Sequence, residues 1–109
     1  MIRDSPIADC VLLALVLLIG CGVSQKNGTA DHHHVILTWN ASSGATRYNI
    51  YRSEISGGYY GLIGSTAQLT FRDEVVNSGA TYYYVCTAVD SAGRESEHSN
   101  EVLARIPFP

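Results

Sequence analysis

The sequence predicts an all-β domain, built as a sandwich or a barrel of at least six short strands. Residues with high strand propensity, among them seven tyrosines, are frequent in the chain after its first twenty positions. Short stretches of alternating apolar and polar residues recur there at spacings of about ten residues, and clusters of Gly, Ser and Asn separate them. Many short strands with turn signals between them are typical of a sandwich or a barrel.

The predicted strands are short and follow one another closely along the chain. They cover residues 35–40, 48–51, 60–64, 69–72, 81–89 and 99–106. Because successive side chains of a strand point to opposite faces, every second residue is expected to face the core. The residues predicted to form this core are Trp39, Tyr48, Ile50, Tyr82, Tyr84 and Cys86.

The size and charge of the chain limit what it can do. A chain of 109 residues provides one small domain. Its 10 acidic and 7 basic side chains are scattered without blocks and give a formal net charge of -3. Proteins that bind nucleic acid or an anionic membrane surface generally carry a basic patch. The composition therefore argues against both kinds of partner.

Residues 1–20 are predicted to be a targeting segment and are left out of the predicted domain. The uncharged run from Val11 to Ile19 has nine residues, whereas a helix that crosses the hydrocarbon core needs roughly 20. This length suits the apolar core of a secretory signal peptide, which is removed from the mature protein. The flank before the run departs from that pattern, because Arg3 is its only basic residue and two aspartates oppose it.

The end of the apolar run, Leu18-Ile19-Gly20-Cys21, resembles the lipobox of bacterial lipoproteins. The resemblance implies cleavage before Cys21 and acylation of its thiol, which anchors the protein because each buried methylene contributes about 0.8 kcal/mol. Residues 21–31, small and polar, are then a flexible tether. The alternatives are an ordinary cleaved signal with a chance cysteine, and a short uncleaved anchor.

Most of the remaining chain resembles the fibronectin type III domain, in particular its bacterial extracellular copies. The segments that carry the resemblance are Val-Ile-Leu-Thr-Trp39, Tyr-Asn-Ile-Tyr-Arg52, Gly79-Ala-Thr-Tyr82 and Ser99-Asn-Glu-Val102. It implies an immunoglobulin-like antiparallel β-sandwich of six or seven strands over residues 32–107. In this sandwich Tyr82 is the corner tyrosine whose hydroxyl bonds to main chain. Residues 27–34 lack apolar alternation, so the first strand is expected to be short, missing or supplied by a neighbour.

No residue pattern predicts an active site, a cofactor or a metal centre. His32, His33 and His34 are adjacent, and neighbouring side chains of a strand point to opposite faces, so only two of them can reach one ion. Structural zinc sites almost always have four ligands. The carboxylates lie at predicted strand-to-loop boundaries of a domain too small for a deep cleft, whereas hydrolysis needs carboxylates that converge in a pocket. The sequence therefore predicts a protein that is not an enzyme.

Cys86 is predicted to be an inert, buried thiol. A reactive cysteine needs exposure and a nearby base, and no histidine is close to it in sequence. Cys10 would leave with the signal and Cys21 would be lipidated, so Cys86 is expected to have no partner for a disulfide.

Outward tyrosines are the remaining candidates for function. They are Tyr51, Tyr59, Tyr60 and Tyr83. Such side chains make good contacts with partners or sugar rings, and the alternative is that they pack across strands. The predicted function is a membrane-anchored, extracytoplasmic interaction or adhesion module for a protein or glycan of the cell envelope. The alternative is a spacer, or a truncated remnant of a larger extracellular protein. By the lipobox resemblance, Gly22 places the anchor in the outer membrane of a cell with two membranes.

Overall fold

The computed structural model describes residues 12–17 and 33–108, which form seven strands and no helix. The strands are β1 (Leu12–Leu17), β2 (His34–Trp39), β3 (Ala45–Ser53), β4 (Gly61–Thr66), β5 (Thr70–Asp73), β6 (Thr81–Asp90) and β7 (Val102–Arg105). They form two antiparallel sheets, in the orders β1-β2-β5 and β4-β3-β6-β7. The predicted fold class, an all-β immunoglobulin-like sandwich, is confirmed. Within the described residues, no helix has the length and apolar character needed to span a membrane.

The first sheet takes its edge strand from the apolar run near the amino terminus. Strand β1 pairs antiparallel with β2, from Leu12 opposite Trp39 to Leu17 opposite His34. The chain itself therefore provides a strand at the edge where the sequence suggested a short, missing or borrowed one. This strand lies inside the predicted signal peptide, ahead of the predicted domain of residues 32–107. Signal cleavage stays a prediction, and so does lipidation of Cys21, which lies outside the described residues together with the predicted tether.

The core lies between the two sheets and consists of the inward side chains of β2, β3, β6 and β7. Val35 and Leu37 of β2 are completely buried, and Trp39 packs against Tyr48 of β3 with ring centroids 5.6 Å apart. Burial of each large apolar side chain stabilises the fold by about 1.5–3 kcal/mol. All the residues expected in the core are buried: Trp39, Tyr48, Ile50, Tyr82, Tyr84 and Cys86.

Tyr82 closes the bend that leads into β6. Its hydroxyl accepts a hydrogen bond of 3.0 Å from the backbone N–H of Asn77, while its ring is buried in the core. This is the corner-tyrosine arrangement that the family resemblance implied.

A buried polar network joins the two sheets. Asp73, at the end of β5, accepts hydrogen bonds from Arg52 Nη1 of β3 at 2.9 Å and from the Tyr84 hydroxyl of β6 at 2.6 Å. Arg52 Nη1 also donates to the Val75 carbonyl at 2.8 Å, and the guanidinium lies over the Tyr82 ring. Burial raises the pKa of Tyr84 well above its usual value, and the bond to Asp73 raises that pKa further.

Serine side chains extend the pairing of β6 beyond β7. The Ser96 N–H donates to the Ala88 carbonyl at 2.8 Å, and the Ala88 N–H donates to Ser96 Oγ at 2.9 Å. Ser99 makes the same two bonds with Cys86, at 2.8 and 2.9 Å. Hydroxyls thus replace backbone carbonyls as acceptors for β6 amides. The last strand is therefore shorter than the predicted residues 99–106, and residues 95–99 form a loop held firmly against β6.

The sulfur chemistry of Cys86 differs from the prediction. Its side chain is completely buried, but it is disulfide-bonded rather than a free thiol. The other two cysteines of the chain, Cys10 and Cys21, lie outside the described residues. The prediction of an unpaired Cys86 assumed that Cys10 leaves with the signal peptide and that Cys21 is lipidated. In the uncleaved, unmodified chain both cysteines are present.

Candidate functional site

The four outward tyrosines lie in three different environments. Tyr51 of β3 and Tyr60, just before β4, are half-buried on the outer side of the four-stranded sheet. Tyr83 of β6 is half-buried opposite Leu103 of β7. Tyr59 is 87% exposed at the turn between β3 and β4, and its φ of 56° is in the left-handed region. The structure therefore brings only Tyr51 and Tyr60 into one place.

The residue that unites these two tyrosines is His98, which is exposed in the loop before β7. Its ring centroid lies 5.7 Å from that of Tyr51 and 5.5 Å from that of Tyr60, the second pair in an edge-to-face arrangement. We call Tyr51, Tyr60 and His98 the outer patch. Sequence reasoning weighed His98 only as a metal ligand, because a loop residue shows no alternation that would place it beside a distant strand.

Glu95 is a fixed carboxylate beside the outer patch. Its Oε2 atom accepts hydrogen bonds from Asn49 Nδ2 at 3.1 Å, from Thr87 Oγ1 at 2.6 Å and from the Tyr51 hydroxyl. Burial acts to raise the pKa of Glu95, but these bonds and the nearby His98 outweigh it and hold the pKa below its usual value. Glu95 is therefore ionised and held in one orientation at neutral pH.

Glu101 fixes the other side of the patch. The Tyr60 hydroxyl, Ser56 Oγ at 2.8 Å and the Gly57 N–H at 2.9 Å all donate to its carboxylate. These three bonds lower the pKa of Glu101. One side chain thus ties the turn between β3 and β4 to the start of β7, and it orients the ring of Tyr60.

A shallow groove of about 390 Å³ runs beside the outer patch. The residues that line it are Tyr51, Thr87, Glu95, Ser96, Glu97 and His98. In the described part of the chain, its lining includes two carboxylates and no lysine or arginine, so the two carboxylates give it negative charge at neutral pH. An open groove of this kind can hold a ligand by contact and hydrogen bonding.

A second groove of about 330 Å³ lies at the turn between β3 and β4. Its lining includes Tyr59, Ile55 and Arg52. Ser53 Oγ stabilises this turn, because it donates to the Gly58 carbonyl at 2.6 Å and accepts from the Ile55 N–H at 2.9 Å. The turn therefore presents Tyr59 to solvent, apart from the outer patch.

The structure describes only two of the three adjacent histidines, His33 and His34. In residues 12–17 and 33–108, no three His, Cys, Asp or Glu side chains are placed to hold a metal ion. His34 is buried at the start of β2, and His32 lies outside the described residues.

The fold and the outer patch define a small immunoglobulin-like β-sandwich module with an open, partly aromatic groove on one sheet. The chain is similar to an Fn3-like protein from Clostridium thermocellum, with 32% sequence identity and a TM-score of 0.71 over 96% of this chain and 98% of that one. It therefore belongs to the fibronectin type III-like family. No protein-family model matches the sequence.

Other similarities are to parts of much larger proteins. An amylopullulanase from Thermoanaerobacterium saccharolyticum is 44% identical over 87 residues, which are 79% of this chain and 7% of that protein. A β-1,2-glucanase from Parabacteroides distasonis has a TM-score of 0.71 and 25% identity, over 96% of this chain and 13% of the enzyme. The chain thus corresponds to a small segment of each of these enzymes.

Proposed function

We propose that the protein is a membrane-tethered, non-catalytic interaction module that presents its outer patch to a partner in the cell envelope. The observation that carries the proposal is the outer patch itself, where three aromatic rings meet at the solvent-facing side of a rigid sheet. Aromatic side chains supply large contact area at low cost in conformational entropy, which is why they dominate recognition surfaces.

The similarity to the amylopullulanase supports a non-catalytic role. A segment of 7% of that protein's length is small for a catalytic domain, and domains of this size usually have one core and no deep cleft. The same similarity supports a place outside the cytoplasm, because large polysaccharides do not enter cells intact.

The tether rests on the sequence of the amino terminus. Acylation of Cys21 after cleavage would hold the domain close to the membrane surface, since residues 21–31 span only about 3.3–3.6 Å each at full extension. With Gly22 after the lipidated cysteine, we place the anchor in the outer membrane where the cell has two membranes.

A structural spacer is the second candidate, and one observation favours it. The hydroxyls of Tyr51 and Tyr60 are both engaged by carboxylates of the same chain, as expected of tyrosines that pack to shield a sheet. A spacer would use these contacts for rigidity alone, and its outer patch would bind nothing.

The tether is tested by intact-mass spectrometry of the protein expressed in a bacterial host from its native start. We expect a mature mass that begins at Cys21 and carries acyl chains, and the Cys21→Ala variant should lack both changes. A full-length, unacylated chain would contradict the tether.

The interaction role is tested by co-sedimentation of the full chain with cell-envelope material and with insoluble polysaccharides. We expect retention to fall at least fivefold in a Tyr60→Ala/His98→Ala double variant. Tyr59→Ala is the matched control, because this tyrosine is exposed outside the outer patch and its loss should leave retention unchanged. Absence of retention on any material, or equal retention of the wild-type chain and the double variant, would favour the spacer.

A further inference from the structure

The walls of the groove beside the outer patch are in place before any ligand arrives. Thr87, which is 1% exposed, comes from the centre of β6, and Tyr51 comes from the neighbouring β3. The opposite wall is the loop of residues 95–98, which Ser96 holds against β6 through two hydrogen bonds with Ala88. A site with rigid walls loses little conformational entropy on binding. Its volume of about 390 Å³ is within the range of small-molecule sites.

Glu95 supplies a fixed hydrogen-bond acceptor in this groove. The donors from Asn49, Tyr51 and Thr87 all reach Oε2, so within the described part of the chain the lone pairs of Oε1 remain for a ligand. The lowered pKa of Glu95 keeps the group ionised, and an ionised carboxylate accepts hydrogen bonds without donating any. The groove thus favours a ligand that brings hydroxyl donors.

The aromatic rings beside this acceptor favour a ligand that also has an apolar face. His98 is exposed, and its contact with Tyr51 and Tyr60 on two sides limits its orientation. Sugar rings combine faces of C–H groups with a rim of hydroxyls, so one face can lie on an aromatic ring while the rim reaches a carboxylate. Aromatic walls with a few oriented polar groups are the usual composition of small-molecule sites.

We propose that this groove binds a neutral oligosaccharide, with His98 and Tyr51 as the aromatic contact and Glu95 as the hydroxyl acceptor. The inference rests on the proposed function and names the partner class of the same surface. Charge favours the neutral form, because Glu95 and Glu97 both line the groove and, among the residues that the structure describes, no lysine or arginine does. The two carboxylates repel the acid groups of uronic-acid sugars.

The test is a nuclear magnetic resonance titration of the isotope-labelled full chain. The neutral probes are maltohexaose and cellohexaose, the acidic probe is tetragalacturonate, and a lysine-rich peptide serves as a cationic probe. We expect a neutral probe to shift the signals of Thr87, Ser96 and His98, and tetragalacturonate to bind at least tenfold more weakly. His98→Ala should weaken the affinity for the neutral probe at least tenfold, and Tyr59→Ala should change that affinity less than twofold.

The charge argument has its own variant. Glu95→Gln keeps an oxygen acceptor but removes the negative charge. It should therefore reduce the ratio of the affinity for neutral sugars to that for tetragalacturonate at least threefold. Thermal melting of each variant shows whether the sandwich is intact.

Three results would overturn the proposal. The first is that the signals of the groove residues do not shift with either neutral probe at about 10 mM, a concentration at which even millimolar affinity is visible. The second is that tetragalacturonate binds as tightly as the neutral sugars. The third is that the lysine-rich peptide binds more tightly than the neutral sugars. If co-sedimentation still depends on the outer patch, such a result excludes oligosaccharide binding but leaves the proposed interaction role. If co-sedimentation does not depend on the outer patch, both proposals fail together.

Discussion

Individual residues of the core illustrate how directly alternation predicts burial. Trp39 is 3% exposed because it is the third inward residue of β2, and the sequence pattern alone placed it there. Its indole N–H finds no hydrogen-bond partner among the described residues, so its contribution comes from apolar burial and from its contact with Tyr48. The alternation of inward and outward residues cannot reveal such a missing bond, because the bond depends on the positions of neighbouring polar atoms.

Trp39→Ala is expected to cost about 3–5 kcal/mol of unfolding free energy, because it removes a buried aromatic ring and leaves a cavity. Native proteins have total stabilities of about 5–15 kcal/mol, so this loss is a large fraction of the domain's stability. Thermal unfolding followed by circular dichroism measures the effect. Val75→Ala is the control, since this side chain is 75% exposed. A cooperative melt at an unchanged temperature would contradict the core position of Trp39.

At the scale of elements, the strands followed from sequence and the loop before β7 did not. Strands β2 to β6 lie close to their predicted positions because one face of each is apolar. The loop of residues 95–99 is held by serine hydroxyls that act as backbone acceptors, and serine in a loop gives no sign of such a role. The outer patch was missed for the same reason, because His98 is positioned by this loop.

Strand β4 offers a matched pair of glycines that tests the packing of the sheets. A Cβ added at Gly64 would overlap the ring of Phe71 in β5, whereas one added at Gly61 meets nothing within 4 Å. We expect Gly64→Ala to cost about 1–3 kcal/mol through overpacking, and Gly61→Ala to change stability by less than about 0.5 kcal/mol. Urea unfolding of both variants measures the difference. Equal stabilities would show that the ring of Phe71 moves aside without cost.

The whole molecule is a sandwich whose two sheets are joined by a polar network as well as by an apolar core. Arg52, Asp73 and Tyr84 come from three strands, and their mutual bonding offsets the cost of burying them. Family resemblance predicted the sandwich, yet it did not predict this network or the patch on the outer face. Both depend on residues far apart in sequence, such as Tyr51 and Glu95, that only the completed fold brings together.

The network predicts loss of stability in alkaline solution. The pKa of Tyr84 is raised in the folded state by burial and by Asp73, so folding favours the neutral phenol. Its stabilising contribution is complete below the unfolded pKa of about 10 and is lost as pH rises above that value. Chemical unfolding at pH 8, 10 and 11 should show this fall, and Tyr84→Phe should make it shallower. An identical pH dependence in the variant would exclude Tyr84 as its cause.

The pairing of β1 with β2 has a consequence for the biogenesis of the protein. The same six residues, Leu12–Leu17, are a strand of the folded sheet and the centre of the predicted export signal. If the chain folds before it reaches the translocation machinery, this segment of the predicted signal is hydrogen-bonded into the sheet. A chain that is exported and cleaved before Cys21 leaves the outer edge of β2 without that neighbour, and exposed strand edges pair readily with other chains. If the predicted signal is used, export and folding compete for one segment, and the order of the two events decides which edge the mature protein exposes.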